Sequence, residues 1–183
     1  MMAGPRVIAI TSVSGGGKTT ITEELKHSFL DSRALHFDDY DYEQSPKDLI
    51  EWVEAGADYD QWKLTPLIAD MKQVLNDEKT SYLWLDYPFA YQNKEMANFL
   101  DLVIYIDTPL DIAMARRVIR DYADHSLSDV FTDLTFYIER GRIGYLEMEK
   151  TIKTDSDVVI NGTYSPAVIA EEIKRYIRRG KGR

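Results

Sequence analysis

The segment Ser12-Val13-Ser14-Gly15-Gly16-Gly17-Lys18-Thr19 follows the apolar run Val7-Ile8-Ala9-Ile10 and precedes an amphipathic stretch. It fits the phosphate-loop pattern G-x-x-x-x-G-K-[ST], with Ser12 in place of the first glycine. Glycines let successive backbone N–H groups turn inward around an anion, and the helix that follows points its positive end at the same place. In that frame residues Ser14, Gly15, Gly16, Gly17, Lys18, Thr19 and Thr20 surround phosphate. Lys18 reaches the terminal phosphates and the Thr19 hydroxyl ligates Mg²⁺. The plain alternative is a flexible glycine linker that happens to end in lysine. A strand before it and a helix after it count against that. Ser12 is compatible if its φ is negative.

Further short apolar runs read as strands covered on both faces: Ala34-Leu35-His36-Phe37, Tyr82-Leu83-Trp84-Leu85, Leu102-Val103-Ile104-Tyr105-Ile106 and Val158-Val159-Ile160. Helical patterns lie between them. Ile21, Leu25 and Phe29 share one face. Thr108 is expected to cap a helix with Pro109 at its first position and Ile112, Ala115 and Ile119 as its apolar stripe. Ser165-Pro166 opens a last helix with Ile169, Ile173 and Ile177 on one face. Alternation of this kind predicts an α/β fold with a parallel sheet between helical layers, and ligands at the carboxyl ends of the strands.

Three carboxylates follow the second strand: Asp38, Asp39 and Asp41. Beside a phosphate loop, Asp38 is the candidate to accept a proton from an attacking hydroxyl; Asp39 and Asp41 stay undecided, since acidic turns are common. Asp86 ends the third strand, where an acid can help hold Mg²⁺. Arg116, Arg117 and Arg120 are neighbours on the helix after the fourth strand. Planar guanidinium groups suit phosphoryl oxygens, although Asp121 and Asp124 offer ordinary surface pairing. Tyr59-Asp60-Gln61-Trp62 could stack on a ring and bind sugar hydroxyls, or Trp62 could close a small core. Asp107 reads as structural. The lysine and aspartate of Thr151-Ile152-Lys153-Thr154-Asp155 lack the Asn or Thr of a guanine-reading motif, and His27, His36 and His125 are scattered.

The 183 residues suit one domain over 1–183. With 31 acidic against 22 basic side chains the net charge is −9, which argues against a general nucleic-acid partner. There is no cysteine, so no disulfide or thiolate metal site. The apolar start is too short for a signal or membrane segment. A cytoplasmic setting without a membrane partner is expected. The basic tail, residues 178–183, reads as a frayed helix end.

The order of these pieces resembles the uridine kinase, phosphoribulokinase and nicotinamide riboside kinase branch of P-loop kinases. "SGGGKTT" is similar to their phosphate loop and "HFDDYDY" to the segment with the catalytic aspartate. "YDQWKL" looks like a substrate segment, "LWLDYPF" like the strand with the Mg²⁺-linked acid, and "IDTPLDIAMARRVIRDY" like the strand and lid helix. The resemblance implies a P-loop three-layer sandwich, a five-stranded sheet in the order 2-3-1-4-5, and a helical lid over roughly residues 117–145. It implies Asp38 as general base, Asp86 as the acid near Mg²⁺, and Arg117 and Arg120 on the phosphates. Tyr59 and Asp60 fall on positions that stack on the base and bind the ribose. Two departures stand out. Residues 75–81 form a short polar turn where uridine kinases carry a nucleoside-binding hairpin. Further lid arginines after Arg120 are missing, leaving Arg140 or Arg142 to substitute; Arg142 is counted with the substrate residues.

The implied activity is ATP- and Mg²⁺-dependent transfer of a phosphoryl group to a hydroxyl of a small metabolite, a nucleoside or related sugar-bearing compound, with Lys18, Asp38, Arg117 and Arg120 as the catalytic set. Two rivals remain at this level: a nucleotide-binding regulatory protein with little turnover, and a hydrolase that drives a partner. The acceptor's identity, ATP against GTP, and homo-oligomer formation are open.

Overall fold

The computed structural model describes residues 4–179. Five strands, β1 Arg6–Thr11, β2 Ser32–His36, β3 Tyr82–Asp86, β4 Leu102–Asp107 and β5 Val158–Asn161, form one sheet in the order β2-β3-β1-β4-β5. All pairings are parallel, with Ile10 opposite Asp86 and Ile104, and His36 opposite Asp86. This is the expected order. The central strands alternate their side chains between two buried layers. Ile8, Ile10, Trp84, Leu102, Ile104 and Ile106 face α1 (Lys18–Ser28) and a C-terminal helix, Pro166–Arg178. Val7, Ala9, Leu83, Leu85, Val103 and Tyr105 face the layer that contains α2 (Leu49–Glu54) and α3 (Thr65–Leu75).

The helices follow their apolar spacing where they lie flat on the sheet. In the C-terminal helix Ile169, Ile173 and Ile177 are buried, Pro166 is at the first turn, and the Ser165 side chain caps Val168 N at 3.4 Å. In α1, Ile21 and Leu25 are buried and Phe29 packs just past the helix end. A short α4 (Lys94–Ala97) sits before β4.

Three expectations change. Phe37 has left β2 and starts a 3-10 turn, Phe37–Asp39. The helix after β4, α5 (Leu110–Asp121), is preceded by Pro109 as its N-cap, and Thr108 does not cap it. The Thr108 hydroxyl instead donates to the Gly16 carbonyl at 2.8 Å. The expected stripe on α5 also fails. Ile119 is 73% exposed, and the buried face carries Ala113 and Met114, because α5 leans its Ala113 backbone on the glycine loop.

After α5 the chain turns at residues 122–126. It then runs as one helical stretch: α6 (Leu127–Phe136), a π turn (Tyr137–Gly141), α7 (Arg142–Glu147), a second π turn (Met148–Ile152) and α8 (Lys153–Asp155). Ser126 and Asp129 start it with a reciprocal capping box. α9 is the C-terminal helix, Pro166–Arg178. Of the basic tail, residues 180–183 lie outside the described residues. No described helix is long and apolar enough to cross a membrane.

Gly15 and Gly17 have φ of +76° and +103°. A Cβ on Gly15 would stand 2.0 Å from the Ala113 carbonyl oxygen, whereas one on Gly17 would meet open space. Gly17→Ala is therefore expected to cost backbone strain only, about 1–3 kcal/mol. Gly15→Ala is expected to cost more, because α5 must also shift. Urea unfolding of both variants checks this; equal midpoints would remove the packing role of Gly15.

Candidate active site

The carboxyl ends of β1, β2, β3 and β4 converge on the loop at residues 12–17. Ser12 is buried and its φ is not positive. Its hydroxyl donates to the Ile106 carbonyl at 2.8 Å, so the serine in place of the first glycine ties the loop to β4. Together with Thr108 on Gly16, two side-chain bonds hold the loop from the β4 side. α1 then starts at Lys18 from the left-handed Gly17, with no side chain capping its first N–H groups. Uncapped donors on a helix N-terminus are what an anion needs.

Asp86 is buried at the end of β3. Its Oδ2 accepts from the Thr19 hydroxyl at 2.5 Å. Its Oδ1 is buried, accepts no hydrogen bond, and lies 3.9 Å from Lys18 Nζ. A bare carboxylate oxygen beside a hydroxyl is the donor set a hard divalent cation takes, so Thr19 and Asp86 fit Mg²⁺. His36 faces the same carboxylate, with Nδ1 3.3 Å from Asp86 Oδ2. Its role was not legible from scattered histidines; the in-register pairing of His36 with Asp86 across two strands brings it in.

A cleft of about 640 Å³ opens in front of the loop. Ser12, Ser14, Lys18 and Asp38 form part of its wall, as do Tyr59, Trp62 and Arg117. Asp38 is exposed on the 3-10 turn and makes no hydrogen bond or ion pair among the described residues. Phe37, Trp52, Tyr59, Trp62 and Phe89 form an aromatic group with ring centroids between 4.9 and 6.3 Å apart. Trp62 thus serves both readings, packing in this group and lining the cleft. Its indole N–H is buried with no partner. The Tyr59 hydroxyl approaches Glu147 Oε1 at 3.4 Å; burial and that carboxylate both push its ionisation far upward, so it remains a hydrogen-bond donor.

The helical stretch after α5 supplies the facing wall through Asp133, Tyr137, Tyr145, Glu147 and Met148. Arg117 meets Asp133 through both terminal nitrogens, Nη1 at 3.1 Å, while its Nε is buried without a partner. Burial opposes the Arg117 charge, but the hydrogen bonds to Asp133 and the nearby acids outweigh it, so the guanidinium is held above its usual range. Burial raises the Tyr145 phenol while Arg117 and the nearby Ser14 side chain pull it back, leaving it raised. Asp133, Tyr145 and Glu147 carry no motif, and the fold alone brings them to the loop.

Other expected residues lie elsewhere. Asp60 does not line the cleft. Its carboxylate accepts from Lys94 N at 2.9 Å and Nζ at 2.5 Å, which fixes the start of α4 and holds the acid below its usual range. Arg142 is exposed and is not part of the cleft wall, and Arg140 is exposed beside Asp48. Arg120 pairs with Asp121, Nε at 2.6 Å. It lines a second hollow behind the loop with Gly15, Thr20, Arg116 and Tyr164. Lys18 borders both hollows. Lys153 pairs with Asp107 at 2.7 Å and Asp155 accepts from Tyr91 N at 3.1 Å, so both the lysine and the aspartate of the guanine-reading pattern are engaged elsewhere.

No family model matches the chain. The uridine kinase of Staphylococcus haemolyticus is 30% identical over 152 residues, covering 69% of this chain and 73% of the relative. The uridine kinase of Oceanobacillus iheyensis is 24% identical over 207 residues, covering 96% and 97%. Among solved structures, deoxyadenosine kinase from M. mycoides with bound dCTP superposes with a TM-score of 0.58 at 19% identity, covering 94% of this chain and 99% of that one. The relatives are phosphotransferases and the fold is that of P-loop kinases. On the phosphate loop, the sheet order and these relatives together, the chain belongs to the uridine kinase family of P-loop kinases.

Proposed function

We propose that this phosphotransferase moves the γ-phosphoryl group of ATP to a hydroxyl of a small flat-ringed, sugar-bearing metabolite. The observation that carries the reading is the unpaired Asp38 carboxylate sharing one cleft with Lys18 and Arg117, in front of an uncapped helix N-terminus. The hollow behind the loop takes the nucleotide, with Arg116, Arg120 and Tyr164 on its wall. The aromatic cleft takes the acceptor.

In this scheme Asp38 accepts the proton of the acceptor hydroxyl, whose oxygen forms a bond to the γ-phosphorus as the bond to the β,γ-bridging oxygen breaks and ADP leaves. Lys18 borders both hollows and follows the charge as it moves. The loop N–H groups and the start of α1 hold the phosphates. Arg117, positioned by Asp133, faces the same oxygens. Thr19 and Asp86 would hold Mg²⁺, which would add charge neutralisation on the phosphates. Tyr59 and Trp62 offer ring faces to the acceptor, and Glu147 offers a carboxylate. The whole domain, 1–183, works as one unit, with the segment from Arg117 to Tyr145 as the cover over the cleft.

The test is ATP consumption with Mg²⁺ across nucleosides, nicotinamide riboside, pantothenate and simple sugars, each product weighed for a gain of one phosphoryl group. Asp38→Asn is expected to lower kcat by about 10²–10⁴ while ATP still binds. Full turnover in that variant would remove the proposed base, and acceptor-independent hydrolysis would favour the motor-type rival.

Stacking on the cleft wall makes a separate demand. Trp62→Ala is expected to raise the acceptor KM about tenfold, on the order of 1.4 kcal/mol, and to leave the ATP KM unchanged. Steady-state kinetics with either substrate varied decides it; equal rises in both would mean that Trp62 only packs.

A further inference from the structure

Asp86 is held from more sides than a metal-linked acid needs. Thr19 donates to its Oδ2 and His36 Nδ1 stands 3.3 Å from the same oxygen, leaving Oδ1 bare. The other ring nitrogen, His36 Nε2, lies 2.8 Å from Glu23 Oε1. Glu23 is in turn bound by Lys26 Nζ at 3.1 Å. Burial raises the Glu23 carboxyl, but Lys26 and His36 outweigh this and hold it below its usual range. The imidazole is four-fifths buried, with 19% of its side chain exposed. The chain Glu23–His36–Asp86 therefore spans three elements, α1, β2 and β3, and ends on the oxygen that does not face Lys18.

We propose that His36 is a positioning residue for the divalent cation: it pins one oxygen of Asp86 so that the other is presented bare, and Glu23 fixes the imidazole ring. Two features favour this over simple packing. Both ring nitrogens are spent on carboxylates. The oxygen left without a hydrogen bond is the one that faces the phosphate-loop lysine at 3.9 Å, and a buried carboxylate oxygen without a hydrogen bond is otherwise costly. Hydrogen-bonded partners behind a ligand set its orientation, and losing one weakens metal affinity about 10–100-fold. The inference rests on the reading of Asp86 as a metal-linked acid.

Mn²⁺ bound together with a non-hydrolysable ATP analogue gives a readout independent of turnover, by titration followed through the Mn²⁺ paramagnetic signal. His36→Ala is expected to weaken Mn²⁺ about 10–100-fold, with metal-free nucleotide affinity unchanged and kcat restored by excess Mg²⁺. Glu23→Gln, a change on α1 that touches His36 but not Asp86, is expected to weaken Mn²⁺ in the same direction by less. Unchanged Mn²⁺ affinity in folded His36→Ala, or in Glu23→Gln should the first variant fail to fold, overturns the proposal. Asp86→Asn separates the two layers. If it loses Mn²⁺ while His36→Ala does not, only the positioning role falls. If Asp86→Asn keeps Mn²⁺, the metal reading of Asp86 falls and the proposal with it.

Discussion

The hydroxyls of Ser12 and Thr108 anchor the Ser12–Gly17 loop to the β4 side of the sheet, one on the Ile106 carbonyl and the other from Thr108 onto Gly16. Both bonds are buried, where a lost partner leaves an oxygen that water cannot reach. With the loop fixed this way, α1 begins with no side chain on its first donors. The close approach of α5 at Ala113 follows from the same anchoring, and that approach brings Arg117 over the loop. One pair of side-chain bonds thus fixes where the loop, the start of α1 and the Arg117 side chain sit relative to one another.

The sheet was legible because buried parallel strands write themselves as short apolar runs, and their order follows from the family pattern. Asp38 and Asp86 stood out as candidates for a related reason: Asp86 ends β3 and Asp38 lies two residues past β2, both at the edge of the sheet where such folds bind ligands. Helix faces were legible only where a helix lies flat on the sheet, as α9 does. α5 is tilted onto a loop, so its inward face is small and partly polar, and Ile119 is left in solvent. The same limit explains the cover. Asp133, Tyr145 and Glu147 reach the site through tertiary closure across distant parts of the chain, and no local spacing announces them. Asp60 shows the reverse case, a candidate from the sequence that lies outside the cleft wall. Its neighbours resemble a sugar-binding segment, but a nearby backbone N–H and Lys94 claim the carboxylate first.

Within the uridine kinase family, the pocket proposed here for the acceptor is built from two walls. The turn between α3 and β3 is short, so no hairpin reaches over the acceptor from that side. The aromatic group around Trp62 forms the floor, and the helical stretch beyond α5 forms the opposite wall. In the proposed scheme, recognition of the acceptor falls to a wall that belongs to the same helical stretch as the cover. Arg117 and Asp133 link those two tasks, because the contact that orients the guanidinium is also a contact of that stretch.

The two π turns at Tyr137–Gly141 and Met148–Ile152 give this wall an unusual property. Each wide turn holds an extra residue inside an otherwise regular helix. Removing one would rotate everything downstream by about 100°, since a regular helix advances 3.6 residues per turn. Tyr145 and Glu147 lie between the two turns, and their aim is therefore set by helix phase as well as by side-chain identity. In the proposed scheme, gain or loss of a single residue in this stretch would re-aim the acceptor wall with no substitution in the cleft at all, so acceptor preference would be carried as chain length.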